Sequence, residues 1–159
     1  MNVTVGQAVP DFSAATTGER TVRLAELRGQ RVMLYFYPKD STPGCTVEGQ
    51  QFRELHDQFA ALNTVIFGVS RDSLRSHEKF RAQQDLPFAL ISDGDEALCR
   101  LFDVLKLKKR YGREVLGIER STFLMDETGV LRRAWRKVKP EGHAAEVLAA
   151  VAALAAIAS

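Results

Sequence analysis

The sequence predicts an α/β fold, a central mixed β-sheet flanked by helices. Three observations carry that expectation. Short continuous apolar runs recur along the chain, of the length and β-branched or aromatic content of buried strands. Between them lie polar-rich segments whose apolar residues repeat at helical spacing. The last two runs are separated only by the turn Asp126-Glu127-Thr128-Gly129, which folds them into an antiparallel hairpin and so makes the sheet mixed.

In chain order, residues 12–15 and 21–24 flank Thr17-Gly18 and read as an N-terminal β-hairpin extension. Residues 32–37 form the first buried strand, stopped by Pro38. Residues 46–62 follow as a helix, with Val47, Phe52, Leu55, Phe59 and Leu62 on one side. Residues 64–70 are the second buried strand. A helix over 73–84 comes next, with Asp72 as its N-cap and Leu74, His77 and Phe80 along it. Residues 88–92 are a third strand, and 95–104 a helix marked by Leu98, Leu101 and Phe102. Residues 121–126 and 130–135 make the hairpin. A final helix starts near 141–144 and carries Val147, Leu148, Val151, Leu154 and Ile157. The first two strands are joined through a helix, so they should be parallel with a right-handed crossover. This order of elements is that of a thioredoxin-like fold.

A chain of 159 residues suits one domain over 1–159. Its net charge of +2 is too small for a dedicated nucleic-acid surface. The basic clusters at 106–110 and 132–139 lack interleaved stacking aromatics and read as solvated faces. The start of the chain has no basic segment followed by an apolar one, and the apolar tail 147–158 is short and Ala-rich for a membrane span. No membrane association and a cytoplasmic location are therefore expected. The chain has two cysteines, too few for a disulfide-stapled scaffold, and its histidines at 56, 77 and 143 show no zinc-like spacing with them.

Cys45 stands where the first central strand gives way to a helix, behind Pro38, Pro43 and Gly44, which disfavour regular structure. Unpaired amides and the positive end of the helix dipole favour an anion at such a position. A thiolate is such an anion, and it is the nucleophilic form of cysteine. Two pKa units of depression correspond to about 2.7 kcal/mol of preference for the anion, which a helix end and one arginine can supply together. Arg120, just before the fourth strand, is the arginine of choice, because in such sheets strand starts lie near the ends of their neighbours. A small buried hydrophobe is the competing reading of any lone cysteine. The polar, turn-forming surroundings weigh against it here.

The stretch Pro38-Lys39-Asp40-Ser41-Thr42-Pro43-Gly44-Cys45-Thr46 is similar to the Pro-x-x-x-Thr-x-x-Cys active-site signature of peroxiredoxins. With Tyr37 and Glu48 it resembles the bacterioferritin comigratory protein, or peroxiredoxin Q, subfamily, and the resemblance continues at 5–12, 68–72, 91–93 and 119–124. It implies a thiol-dependent peroxidase that reduces hydrogen peroxide and organic hydroperoxides. Cys45 would be oxidised to a sulfenic acid, and Thr42 would hold peroxide and thiolate in line. Arg120 would stabilise the thiolate and the leaving oxygen, Pro38 would shield the sulfur, and Glu48 would help order the loop. No metal or organic cofactor is implied. Taken singly, Thr42 also suits an N-cap, Pro38 a strand terminator, Arg120 a surface ion pair and Glu48 a first helical turn. It is their joint spacing that favours chemistry.

Many members of that subfamily carry a resolving cysteine five residues after the peroxidatic one, a position held here by Gln50. Others carry it in the next helix, and the segment 73–84 contains none. Cys99, at the edge of an apolar helical face, is the one intramolecular candidate, and a half-buried core cysteine is the favoured reading of it. The expectation is a one-cysteine cycle in a monomer, with thioredoxin, glutaredoxin or a small thiol as reductant. A thioredoxin-type thiol–disulfide oxidoreductase is the nearest rival, but Thr42 occupies the first position of the Cys-x-x-Cys pair it needs. A redox-inactive binding module is the other, and slow oxidation of Cys45 by hydrogen peroxide would mark it.

Overall fold

The computed structural model describes residues 2–158. Its main sheet has seven strands: β1 (Ser13–Thr16), β2 (Arg20–Arg23), β3 (Arg31–Phe36), β4 (Thr64–Ser70), β5 (Ala89–Ser92), β8 (Ser121–Met125) and β9 (Leu131–Trp135), in the order β2-β1-β5-β4-β3-β8-β9. The remaining strands, β6 (Leu105–Arg110) and β7 (Arg113–Ile118), form a separate two-stranded hairpin. The helices are α1 (Pro43–Ala61), α2 (Leu74–Gln84), α3 (Ala97–Leu101) and α4 (His143–Ala158). β3, β4 and β5 run parallel, while β8 and β9 run antiparallel to their neighbours. The N-terminal hairpin adds to the sheet edge through antiparallel pairing of β1 with β5. This is the mixed, thioredoxin-like arrangement that the sequence predicts.

The pleat of β3 sorts the core into two layers. Val32, Leu34 and Phe36 face one cluster, with Cys99, Phe102 and Phe123. Met33, Tyr35 and then Tyr37 face the other, with Cys45, Phe52, Phe59, Phe80 and Val147. Helices α1, α2 and α4 therefore cover one face and α3 the other. Gly68 is required where β4 passes Tyr35: a Cβ there would stand 2.8 Å from Leu90 Cδ2 and 2.9 Å from Tyr35 Oη.

Four local expectations are corrected. The β6–β7 hairpin lies where the sequence reading found only a solvated basic run. Helix α1 begins at Pro43, with Thr42 as its N-cap, rather than near Cys45. The N-cap of α2 is Ser73, whose side chain accepts from Ser76 N, because Asp72 is turned instead to Ser70 and Asp40. Helix α3 spans five residues instead of ten. Glu96 at φ 64° and Asp103 at φ 54° bracket it with left-handed backbone, and Asp93 accepts from Leu98 N and Cys99 N at its start.

Candidate active site

Cys45 lies in the first turn of α1. Pro43 occupies the first turn, where its missing N–H costs nothing. Thr46 N donates to Thr42 O at 2.9 Å. The amides of Gly44 and Cys45 precede that bond and have no intrahelical acceptor. They leave the positive end of a 19-residue helix at the cysteine. The Cys45 side chain is 2% exposed, facing the core layer of Tyr35 and Phe52.

Arg120 reaches this sulfur from β8. Register explains the meeting: Phe36, the last residue of β3, pairs with Ser121, the first of β8. The residue before β8 therefore stands beside the loop that leaves β3. Arg120 Nη2 donates to Cys45 Sγ at 3.4 Å, and Nη1 donates to Glu48 Oε1 at 2.7 Å. One planar guanidinium thus bridges the sulfur and a carboxylate. Gly44 makes the approach possible, since a Cβ there would stand 3.0 Å from Arg120 Nη2.

Glu48 is one helical turn beyond Cys45 and shares its face. It is 1% exposed, and its Oε2 has no hydrogen-bond partner among the described residues. Burial pushes its carboxyl up to about 7, against the downward pull of Arg120. Burial acts to lower the Arg120 guanidinium, but Glu48 and Cys45 more than offset it and hold it above its ordinary value.

The loop between β3 and α1 carries Pro38 and Thr42. Thr42 Oγ1 donates to Lys39 O at 2.7 Å, which leaves the hydroxyl's lone pairs free to accept from a bound molecule. Asp40 anchors the loop from within. Its carboxylate accepts from Tyr37 Oη at 2.6 Å and from Ser76 Oγ at 2.8 Å, and it lies 2.7 Å from His77 Nδ1. The buried ring of His77 also faces Ile91 O through Nε2 at 2.9 Å. Burial would raise the Asp40 carboxyl, yet the bonds from His77, Tyr37 and Ser76 hold it below the usual range. Asp40 N completes the anchor by donating to Asp72 Oδ2 at 2.8 Å. These bonds account for the close grouping of Asp40, Asp72 and His77, whose ligating atoms lie within 4.8 Å of one another.

Pro38, Thr42, Gly44 and Arg120 open onto a cavity of about 410 Å³. Its far wall is the β6–β7 hairpin, through Lys108, Val115, Leu116 and Ile118. Phe36 faces the core layer opposite Cys45, and Phe80 and Phe88 are buried in the layer that holds it. The hairpin was missed, although the alternation of Leu105 and Leu107 with Lys106 and Lys108 carries a strand's period of two.

Cys99 does not join this group. It is fully buried rather than half-buried, in the core layer across the sheet from Cys45. Burial pushes its thiol well above its ordinary value, and Asp93 adds to the shift. Both cysteines are free thiols.

Residues 5–134 match the model of the AhpC/TSA family. The chain is 49% identical to Peroxiredoxin Bcp of Bacillus subtilis over 148 residues, 93% of this chain and 94% of that protein. It is 53% identical to Peroxiredoxin Bcp of Xanthomonas campestris over 143 residues, covering 90% of this chain and 89% of the other. Among solved structures, one of Xanthomonas campestris bacterioferritin comigratory protein, studied for its alkyl peroxide reduction activity, matches with a TM-score of 0.90 at 49% identity, covering 96% and 99% of the two chains. A Cys-to-Ser mutant of Xylella fastidiosa PrxQ matches with a TM-score of 0.92 at 43% identity, covering 98% and 99%.

Proposed function

Because the chain belongs to the AhpC/TSA family, and is a thiol-dependent peroxidase of the Bcp/PrxQ type, we propose a catalytic cycle in which Cys45 is the single working sulfur. The observation that carries it is the donation from Arg120 to Cys45 Sγ at 3.4 Å, at the amino end of α1. Helix end and guanidinium both stabilise negative charge on sulfur.

The thiolate attacks one peroxide oxygen in line with the O–O bond. That bond breaks, its electron pair leaves on the distal oxygen, and Cys45 becomes a sulfenic acid. The distal oxygen takes a proton and departs as water or an alcohol. Thr42 Oγ1 accepts a hydrogen bond from the peroxide O–H and fixes the approach, Arg120 meets the charge as it moves to the leaving oxygen, and Pro38 covers the sulfur. The site's contribution is alignment and charge stabilisation. Glu48 orients Arg120 from behind. Cys99 lies across the sheet, so an external thiol restores Cys45. The same reading has the enzyme acting as a monomer in the cytoplasm, where thiol reductants are maintained.

Peroxide consumption by Cys45→Ser and Cys99→Ser tests the cycle. Cys45→Ser should abolish turnover, and Cys99→Ser should keep at least half of it. A Cys99→Ser variant that still forms the Cys45 sulfenic acid but no longer turns over would refute the single-sulfur cycle.

A further inference from the structure

Arg120 is one cation set between two acids. Its Nη2 lies 3.4 Å from Cys45 Sγ and its Nη1 lies 2.7 Å from Glu48 Oε1. Cys45 and Glu48 are buried and stand one helical turn apart on α1. If both were ionised, two negative charges would share one guanidinium away from water, and the second would be uncompensated. The groups packed around them bring no further cation. Tyr35 from β3 keeps its hydroxyl proton, because burial first and then Glu48 push it well above its ordinary value. Asp40 in the loop is satisfied by Tyr37, Ser76 and His77. His143, at the head of α4, is held below its ordinary value by burial, with its ring nitrogens 2.8 Å from Thr122 Oγ1 and 3.2 Å from Glu146 Oε1.

The second carboxyl oxygen tells the same story. Glu48 Oε2 is buried, and no donor reaches it among the described residues. A bare carboxylate oxygen in that place is charged and unsolvated, whereas a proton on the carboxyl removes the charge. Taking the reading of Cys45 as the reacting sulfur, we propose that Glu48 is the proton store of the site: it holds a proton while Cys45 is a thiolate and gives it up when the sulfur is oxidised. Burial has already brought this carboxyl up to about 7. A thiolate on the same guanidinium raises it further and the loss of that thiolate lowers it, so one reaction carries the carboxyl across neutral pH.

The oxidation then balances inside the site. Cys45 Sγ bonds to one peroxide oxygen, the O–O bond breaks, and the distal oxygen leaves with the electron pair. Thiolate, protonated Glu48 and hydrogen peroxide become sulfenic acid, carboxylate and water. The sulfur is oxidised by two electrons, the peroxide is reduced by two, and the carboxyl proton ends on the departing oxygen. One negative charge faces Arg120 before the step, on sulfur, and one after it, on Glu48. Reduction reverses the exchange. Two equivalents of an external thiol supply two electrons and two protons and leave as their disulfide. One proton completes the water formed from the sulfenic oxygen, and the other returns to Glu48 as the thiolate reappears.

Glu48→Gln separates this role from the orientation of Arg120. Orientation needs only an acceptor for Arg120 Nη1, which the amide oxygen retains; storing a proton needs the carboxyl. Parent and variant, each with its thiolate absorbance recorded, are mixed with one equivalent of hydrogen peroxide in weak buffer at about pH 7 with a pH indicator. Intact mass counts the Cys45 sulfenic acid in each, so a failure of the peroxide step is seen separately. For each sulfenic acid formed, the parent should take up close to no protons from solution and the variant about one. Infrared difference spectra of the parent, reduced against oxidised, should show the C=O stretch of a protonated carboxyl giving way to carboxylate bands, and the variant should show neither. The parent spectrum alone keeps the test decisive if the variant fails to fold. Equal proton uptake by the two proteins would overturn the proposal. So would a reduced parent with no carboxyl band, or one whose band survives oxidation, because Glu48 would then only hold Arg120 in place.

Discussion

Replacing Arg120 with Gln separates the two bonds that its guanidinium makes. The bond to Cys45 Sγ acts on chemistry, and the 2.7 Å bond to Glu48 acts on the fold. A hydrogen bond to an ionised partner contributes about 1.5–3 kcal/mol, which is roughly a ten- to 150-fold loss in the rate of Cys45 oxidation. Stranding a buried carboxylate costs about 3–5 kcal/mol if the charge persists. Glu48, already at about 7, escapes most of that by taking up a proton. The single variant should therefore oxidise slowly at pH 7 and lose stability mainly above that pH. In a Glu48→Gln background the stability loss should vanish and the rate loss remain. Stopped-flow oxidation by hydrogen peroxide, with the sulfenic acid trapped and counted by mass, reads the first quantity; urea denaturation reads the second. A rate within threefold of the parent would refute the assignment. So would a rate loss that disappears along with the stability loss in the double variant, because Arg120 would then be a structural residue.

Glu48→Gln alone should change the pH profile of stability. A folded pKa raised from 4.5 to about 7 confers stability that is complete below 4.5 and is lost as pH rises through 7. The parent should lose up to about 3 kcal/mol across that window in urea titrations and the variant almost none. Asp40 has the opposite sign: its carboxyl is held down, so its stabilisation is present above the ordinary carboxylate range and lost as pH falls through the lower folded value. Asp40→Asn should cost about 1–3 kcal/mol at pH 7 and flatten the acid limb of the same titration. Gly68→Ala places a Cβ 2.8 Å from Leu90 Cδ2 and should destabilise by about 1–3 kcal/mol, read as a lowered Tm.

What could be read from the sequence depended on how local each signal was. β3, β4 and β8 are buried on both faces and announce themselves as continuous apolar runs. Arg120 was legible because adjacent strand ends must meet, a rule that needs only the order of elements. The β6–β7 hairpin was not. Its strands mix Leu with Lys, and its two-residue turn places Tyr111 at φ 52° beside Gly112 at φ 76°. Both residues have positive φ, a conformation usually flagged by Asn-Gly or Asp-Gly, and tyrosine gives no such flag. The short span of α3 likewise hangs on Glu96 and Asp103 in left-handed backbone, which composition does not reveal. Gly44 looked like a helix breaker until Arg120, 76 positions further along the chain, was seen to lie 3.0 Å from its missing Cβ. The contact of Asp40 with His77 of α2, 37 positions away, likewise leaves no local mark in the sequence.

The legible and illegible parts divide along a functional line. Sulfur, helix end and guanidinium sit where β3, α1 and β8 meet, positions set by the register of the main sheet. Moving any of them would cost the core, so their geometry follows from the same pattern that makes the fold. The wall that faces an incoming reactant belongs to a two-stranded hairpin paired only with itself. Val115, Leu116 and Lys108 can change there without altering the Phe36–Ser121 register or the approach of Arg120 to Cys45. In the proposed cycle the fold therefore fixes where Cys45 meets Arg120, while the hairpin is left to select the molecules that reach them. A resemblance carried by the signature around Cys45 transfers the first property and says little about the second.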